Sequence, residues 1–588
     1  MIYPLLLLLS GSVKSEVDIR HFDIIPQYLV NDLALFRKLE EQRYGGQLDV
    51  FIAATRQPTY SFEFLERPPQ PPVVVLQDWN YFWSNGKSWP PYFLQLGHNF
   101  GFKTVPEANL MYLHRLAMAF PDLPKHELNI QDPKLRLKAE EWQSRSFQTV
   151  QGPFAPVYVQ MKQDLPLRYF RPTTVEGFFI THYLRSKFGT GEEAVQKLNH
   201  KWDTHYSSLY EMVLSPTMPV HPGQGEDWWN FVQNMLSARF IRFSSVYLPD
   251  YQKFLETKYR EIGVLNEVYK ASFTSWKQVS FPGATSPVAG FSDAEGFIQT
   301  LKSPKGIFLD APEFQWREFL KEKYHHDLAA LNLAYRTNYS SFDAVRMPVF
   351  ADDWKIMQEN RSAILYDFLT RNYRVVWEFL TAHGHAVQNT LIFCFLNVLT
   401  ALIINPLAAY ALSRFQPRWT YQALFILMAT MTFPVEVTQI PAFLILRQMG
   451  WLNTFAALVI PAAANGYSIF LLKGFFDSLP KDLYESANLD GASELRIFTT
   501  ITIPLSTPIL AFVALSAFTS AYGAFMFALL VCQKESMWTL MVYIYQLQQF
   551  FNPPIIFAAL VLAAIPTLLV FVFCQNIIMR GIVIPVEK

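Results

Sequence analysis

Charge is distributed very unevenly along this chain of 588 residues, and that distribution limits what the chain can fold into. Only 9 of the 49 basic and 8 of the 49 acidic residues follow residue 385. Because charged side chains are costly in lipid, a drop of this size indicates a change of solvent from water to hydrocarbon. The sequence therefore predicts a polar part, followed by a membrane-embedded part over residues 386–588.

Five apolar stretches follow residue 386, and each supplies the roughly 20 residues that a membrane-spanning helix needs. They lie near residues 388–412, 420–446, 454–474, 505–531 and 554–579. Basic residues mark the cytoplasmic side of a membrane protein. Here one side of the predicted spans carries Arg414, Arg418, Lys473, Lys481, Arg496, Arg580 and Lys588, and the other side carries Arg447 and Lys534. This asymmetry predicts a cytoplasmic C-terminus and places residues 16–385 outside the cytoplasm.

A polar motif lies between the third and fourth of these stretches. It reads Glu485-Ser-Ala-Asn-Leu-Asp-Gly-Ala492, and nine residues separate its Gly491 from a second element, Ile501-Thr-Ile-Pro504. Pro480 and Asp482 favour the start of a helix just before the motif. Gly491 favours its end, because glycine adopts a positive φ at no steric cost. The pattern predicts a short helix in a cytoplasmic loop over residues 477–504.

This spacing resembles the cytoplasmic coupling loop of binding-protein-dependent ABC importer permeases. Residues 408–415, 432–441 and 474–487 are also similar to the maltose-type group of that family. The resemblance implies an all-α transmembrane bundle of the type I ABC importer permease kind, with five complete spans and a remnant of a first span at residues 1–15. It also implies the residues that contact an ATPase subunit: Glu485, Ser486, Ala487, Asp490, Gly491 and Ala492. Ser486 departs from the alanine usual there, and serine is small enough to fit the same groove.

The resemblance further implies a permease subunit that imports a sugar or oligosaccharide across the inner membrane. Its expected partners are ATPase subunits, a second permease subunit, an extracytoplasmic substrate-binding protein and membrane lipid. The sequence lacks the G-x-x-x-x-G-K-(S/T) loop that cradles nucleotide phosphates, so ATP hydrolysis is expected on a separate subunit. No catalytic residue or cofactor is predicted, and none of the cysteines, Cys394, Cys532 and Cys574, has metal-ligand spacing. The net charge of zero argues against a nucleic-acid partner.

Glu436 is the acidic residue that falls inside a predicted span. An ionisable group in a membrane is costly to leave in lipid, so such a residue is a functional candidate by default. Two interpretations stay open. Glu436 either contacts a partner helix or the aqueous vestibule in a structural role, or it belongs to the translocation pathway.

The polar part contains four degenerate repeats. Residues 32–72 and 312–352 align without a gap, and two further copies lie near residues 177–219 and 247–283. The shared pattern is F-L-x-x-K-Y, then L-N-x-x-Y, then T-x-Y-x-S-F, and an Asp-Trp pair follows three of the copies, at Asp78, Asp227 and Asp353. Apolar residues at helical spacing predict a mainly helical domain over residues 16–385. Each copy is too small to bury its own apolar face, so the copies are expected to pack together.

A second hypothesis is a membrane-anchored protein that binds or processes carbohydrate, because the repeat resembles a helix-loop segment beside the active site of some β-galactosidase barrels. Asp310 and Glu313 are the candidate carboxylates by position. Retaining glycosidases need two carboxyl groups about 5 Å apart, and the sequence shows neither such a pair nor an alternation of strands and helices. The tryptophans of this part either stack on sugar rings or form the core.

Overall fold

The computed structural model of the chain describes residues 2–20, 23–96, 160, 167, 170–284, 286–382, 385–430, 434–549 and 551–581. It divides into two compact units: the apolar unit, residues 1–15 and 370–588, and the polar unit, residues 16–369. The division falls within the helix Arg361–Ala382, earlier in the chain than the change in charge density at residue 386.

The apolar unit is built from helices. They are Ile2–Ser12, Ala386–Arg414, Thr420–Thr430, Val435–Gln448, Phe455–Val459, Gly466–Asp477, Lys481–Leu489, Glu494–Ile497, Ile503–Leu505, Thr507–Tyr522, Met526–Val531, Leu540–Leu547 and Pro553–Gly581. Short 3₁₀ helices occupy Ile460–Ala462 and Glu535–Met537, and residues Phe498–Thr502 are π-helical.

Two of these helices are long and apolar enough to cross a membrane unbroken, Ala386–Arg414 and Pro553–Gln575. Two bent pairs raise the number to four among the described residues: Phe455–Ala462 with Gly466–Asp477, bent by 49°, and Glu494–Leu505 with Thr507–Tyr522, bent by 83°. The stretch predicted as a span at residues 420–446 forms two helices on either side of residues 431–433, which lie outside the described part. Five spans therefore stay a prediction.

Buried asparagines connect the helix Ala386–Arg414 to its neighbours. Asn389, Asn397 and Asn405 each bond to backbone groups of other segments, so that polar atoms are satisfied without a charge. Asn389 donates to the Ser536 and Trp538 carbonyls, Asn397 donates to the Ala517 carbonyl, and Asn405 accepts from the Asn465 N–H, all at 2.8 to 3.0 Å.

The N-terminal helix Ile2–Ser12 packs on the C-terminal helix Pro553–Gly581. A Cβ atom at Gly11 would lie 2.5 Å from Cδ2 of Phe557, so glycine is needed for this close approach. Asn372 fixes the end of the N-terminal helix by donating to the carbonyls of Ser12 and Lys14, at 2.8 and 3.0 Å. Residues at both ends of the described chain thus belong to one unit.

The polar unit contains four segments of similar make-up, each with two helices, a short 3₁₀ helix and a further helix, here called its third helix. Segment 1 comprises Asp32–Arg43, Leu48–Thr55, Phe62–Phe64 and Val73–Ser84; segment 2 comprises Val175–Phe178 continued by Phe179–Leu184 and Arg185–Phe188, then Glu192–Trp202, Leu209–Glu211 and Pro222–Asn234. Segment 3 comprises Leu248–Tyr259, Ile262–Tyr269, Trp276–Gln278 and Val288–Thr300; segment 4 comprises Pro312–Lys323, Leu328–Tyr335, Phe342–Ala344 and Val349–Glu359.

The repeated L-N-x-x-Y pattern has a local structural cause. In segment 4, Asn332 donates to the Tyr339 carbonyl and accepts from the Tyr339 N–H, at 3.0 and 2.8 Å, which fixes the loop after the second helix. Asn199 and Asn266 make the same pair of bonds in segments 2 and 3. The second helix of every segment also ends at a residue with positive φ: Arg56, Asp203, Lys270 and Arg336.

The aspartate of each third helix is a buried acceptor. In segment 2, Asp227 accepts from Lys187 at 2.5 Å. In segment 3, Asp293 accepts from Lys258 and, at 2.7 Å, from the Tyr269 hydroxyl. Segments 2 and 3 are therefore each closed by a charge-assisted contact between their own helices.

Segments 1 and 4 instead exchange their third helices. Asp78 of segment 1 accepts from Lys323 and, at 3.0 Å, from the Tyr335 hydroxyl of segment 4. Conversely, Asp353 of segment 4 lies 2.9 Å from the Arg43 guanidinium of segment 1. The hydrophobic cores follow the same exchange, since each of these third helices shares a core with the first helix of the other segment. Repeat position in the sequence therefore does not decide which helices pack together.

Two short strand pairs connect the segments. Strand β1 (Leu94–Leu96) pairs with β2 (Phe170–Pro172), and β3 (Ile241–Phe243) pairs with β4 (Ile307–Leu309), both antiparallel. In each pair, a strand that follows a third helix bonds to a strand that precedes a first helix. The first helices of segments 2 and 4 contact each other directly, since Arg317 lies 2.6 Å from Glu176.

Candidate functional site

The motif at residues 485–492 forms a short helix with sharply defined ends. The helix Lys481–Leu489 begins after Pro480, and Asp482 lies in its first turn. Gly491 ends it with φ +74°, and its N–H donates to the Asn488 carbonyl at 3.0 Å. The N–H of Ala492 donates to the Ala487 carbonyl, also at 3.0 Å, which completes a Schellman motif.

The helix presents one face to the surroundings and the other to the unit. Glu485, Ser486 and Asp490 are exposed, and Leu489 is 88% exposed. Tyr484, on the other face, is buried.

The six residues predicted to contact an ATPase do not share one face. Glu485, Ser486, Asp490 and Gly491 are exposed, whereas Ala487 and Ala492 are half-buried against the unit's hydrophobic core. The two alanines meet at the C-terminal end of the helix, where a Schellman motif commonly carries an apolar contact. Their small size serves the packing of the helix on its own unit.

Side chains that the motif does not contain attach this helix to the rest of the unit. The guanidinium carbon of Arg414 lies 3.1 Å from the centroid of the Tyr484 ring. The Tyr484 hydroxyl lies 3.0 Å from Oγ1 of Thr502. Neither Arg414 nor Tyr484 was singled out from the sequence for such a role. The available signal is a bulky aromatic residue within a helix whose other side chains are mostly exposed.

Glu436 lies in the first turn of the helix Val435–Gln448. Its side chain lies outside the described part of the structure. The two interpretations of this residue stay open.

Glu313, one of the two candidate carboxylates of the polar unit, belongs to a buried ion network. Glu313 is 4% exposed, and one of its oxygens accepts from the Glu176 N–H at 2.8 Å. Burial raises the pKa of Glu313 to about 7. Burial also acts to raise the pKa of Glu176, but the guanidinium groups of Arg317 and Arg56, at 2.6 and 2.9 Å, outweigh it and hold that pKa below its usual value.

This arrangement does not favour a carbohydrate-processing site. Asp310 is bound to Arg242 at 3.3 Å, and Glu313 and Glu176 are shielded from solvent. Trp79, Trp228 and Trp316 are fully buried, so these three rings form core and present no platform for a sugar. Among the described residues, no group of histidine, cysteine or acidic side chains is placed to hold a metal ion.

Comparison with known proteins assigns the apolar unit. Residues 404–584 match the family described as binding-protein-dependent transport system inner membrane component. The trehalose/maltose transport system permease protein MalG of Thermococcus litoralis is 34% identical over 223 residues, which are 37% of this chain and 80% of that protein. The polygalacturonan/rhamnogalacturonan transport system permease protein YtcP of Bacillus subtilis is 31% identical over 198 residues, which are 31% of this chain and 68% of that protein.

A solved bacterial ABC transporter involved in the import of the acidic polysaccharide alginate is also similar, at 28% identity over 35% of this chain and 78% of that chain, with a TM-score of 0.32. The family match and the two permease relatives define a class, the permease components of transporters in the inner membrane. The chain belongs to the family of binding-protein-dependent transport system inner membrane components. The polar unit lies outside the matched residues.

Proposed function

We propose that the chain is the permease subunit of an ATP-binding-cassette importer for a carbohydrate. The relatives above are named as permeases for trehalose and maltose and for polygalacturonan and rhamnogalacturonan. The observation that carries the proposal is the exposed helix Lys481–Leu489, ended sharply at Gly491 between two bent pairs of apolar helices. A rigid helix of this kind suits the transmission of movement from an ATPase subunit to the spans.

In this proposal Glu485, Ser486, Asp490 and Gly491 contact the ATPase subunit, while Ala487 and Ala492 hold the helix on its own unit. The helix lies in a cytoplasmic loop over residues 477–504, and the C-terminus is also cytoplasmic. ATP is hydrolysed by the partner, and this chain is not itself an enzyme. A second permease subunit and an extracytoplasmic substrate-binding protein complete the transporter.

The proposed arrangement has five complete spans and a remnant of a further span at residues 1–15. Residues 16–385 form an extracytoplasmic domain with four degenerate repeats. Its role is to recruit the substrate-binding protein or the substrate, or to brace the second permease. The basic residues on one side of the spans support this orientation.

Co-purification from native membranes tests the proposal. Gly491→Arg places a long side chain at φ +74°, on the exposed end of the helix, and is expected to abolish recovery of the ATPase subunit. Gly450→Arg is the matched control, because Gly450 also has a positive φ, +70°, and open space around it. Recovery of the ATPase with wild type and Gly450→Arg, but not with Gly491→Arg, supports the proposal. Absence of an ATPase from the wild-type preparation contradicts it.

A further inference from the structure

The last turn of the helix Ala386–Arg414 contacts the exposed helix Lys481–Leu489 at Tyr484, the buried residue of that helix. Besides lying over the Tyr484 ring, Arg414 donates from Nη2 to the Phe476 carbonyl at 3.2 Å. This guanidinium is therefore held between the end of the helix Gly466–Asp477 and the helix Lys481–Leu489. A planar guanidinium is suited to this position, because it stacks on a ring while donating in its own plane.

Two other residues near the end of the helix Ala386–Arg414, Ser413 and Tyr410, bind the chain just before and just after the exposed helix. Ser413 donates to Asp477, just before the helix, at 2.6 Å. Tyr410 donates to Glu494, just after it, at 2.7 Å, and its ring lies 5.1 Å from that of Phe498. Residues four apart share a helix face, so Tyr410 and Arg414 form one continuous contact surface.

We propose that Arg414 is a positioning residue for coupling, which joins the exposed helix to the helix Ala386–Arg414 so that the two move as one body. This inference rests on the proposed function, because it takes an ATPase subunit as the source of the movement. A loop held only by its chain connections would bend under load. Packed and hydrogen-bonded contacts instead pass a displacement from one element to the next.

The test follows the far end of the helix Ala386–Arg414 in the full transporter, purified with its ATPase subunits. Val387→Cys, at an exposed position in the first turn, reports movement through its rate of maleimide labelling, after Cys394, Cys532 and Cys574 have been replaced by alanine. Labelling is compared with and without ATP plus vanadate. This readout needs no knowledge of the transported substrate.

With Arg414 present, trapping nucleotide with vanadate is expected to change the labelling rate about fivefold or more. Arg414→Gln and Tyr484→Leu are each expected to abolish that change while nucleotide trapping and ATPase recovery persist. Tyr484→Phe, which keeps the ring beneath the guanidinium, restores the response. Arg418→Gln is the matched control, since it removes an exposed charge only four residues away.

Four results separate the alternatives. An unchanged labelling response in Arg414→Gln and Tyr484→Leu overturns the inference, and so does the lack of any response in the parent protein. If Arg414→Gln is not recovered as a folded complex, the comparison of Tyr484→Leu with Tyr484→Phe decides. Loss of the ATPase from the parent preparation contradicts the proposed function itself, which is a different result.

Discussion

The two units satisfy their buried polar groups in different ways. In the apolar unit, the neutral amides Asn389, Asn397 and Asn405 bond to backbone groups. In the polar unit, buried aspartates such as Asp227 and Asp293 bond to lysines and tyrosines. The lysines are only partly buried; Lys258, for example, keeps 48% of its side chain exposed.

The difference follows from the solvent that each unit meets. A lysine at the surface of the polar unit reaches water with its ammonium group while it satisfies a buried carboxylate. In hydrocarbon, no water is available for the charged end, so neutral side chains are used instead. The type of buried polar contact therefore indicates whether a unit meets water or hydrocarbon. This indication does not depend on the average hydropathy of the unit.

The largest expected effect comes from removing an aspartate of the polar unit. Asp78→Ala leaves Lys323 with access to water but deprives the Tyr324 and Tyr335 hydroxyls of their acceptor, at a cost of about 3 kcal/mol. Because the third helix of segment 1 packs on segment 4, the loss is expected there. The protection of backbone amides against hydrogen–deuterium exchange should fall about 100-fold in the helices of segment 4.

Asp227→Ala is the comparison, since it should lower protection within segment 2 alone. Asp49→Ala is the control for a surface carboxylate, because the Asp49 side chain is 67% exposed and its ion pair with Arg185 contributes little. If the loss of protection in Asp78→Ala stayed within segment 1, the helix exchange would not contribute to the stability of segment 4.

A second effect depends on pH. Burial raises the pKa of Glu313 to about 7, above its unfolded value, so the folded state binds the proton more tightly. The contribution of this group to stability is therefore complete below about pH 4.5 and is lost as pH rises through about 7, by about 3 kcal/mol. Glu313→Gln, which stays neutral, is expected to remove this dependence.

Hydrogen–deuterium exchange of the helix Pro312–Lys323 at pH 5 and pH 8, corrected for intrinsic exchange rates, measures the difference. Glu318→Gln is the matched control, because Glu318 is an exposed carboxylate on the same helix. Equal pH dependence in wild type and Glu313→Gln would exclude Glu313 as the titrating group.

The smallest expected effect lies in the apolar unit. Asn397→Ala removes the bond to the Ala517 carbonyl and is expected to cost about 1 kcal/mol, the usual range for such contacts between membrane helices. Unfolding in mixed detergent and SDS micelles measures it, with Gln388→Ala as the exposed control. A loss as large as that of Asp78→Ala would remove the distinction between the two units.

Local chemistry made some features predictable from the sequence. Both ends of the helix Lys481–Leu489 could be predicted, because Pro480 favours the start of a helix and Gly491 favours its end. These conformational preferences act within one turn. The contact of Arg414 with Tyr484 was not predictable, because it joins positions far apart in the chain.

The helix exchange could not be inferred from the repeats. Each third helix carries an aspartate at the equivalent position, and each first helix carries a lysine or an arginine at its end. By sequence alone, the aspartate of any segment could therefore pair with the basic residue of any other. Only the three-dimensional arrangement shows that Asp78 contacts segment 4 and that Asp353 contacts segment 1.

The exchange has a consequence for synthesis of the chain. In most repeat proteins a unit contacts only its neighbours, so folding can spread from one unit to the next along the chain. Here the first two helices of segment 1 have to wait for the helix Val349–Glu359, and Phe36, which is fully buried in the end, lacks Trp354 as its partner until then. During that interval the early helices expose apolar surface, which is the condition under which chaperones bind. Segment 1 therefore reaches its final fold only after the third helix of segment 4 has been synthesised.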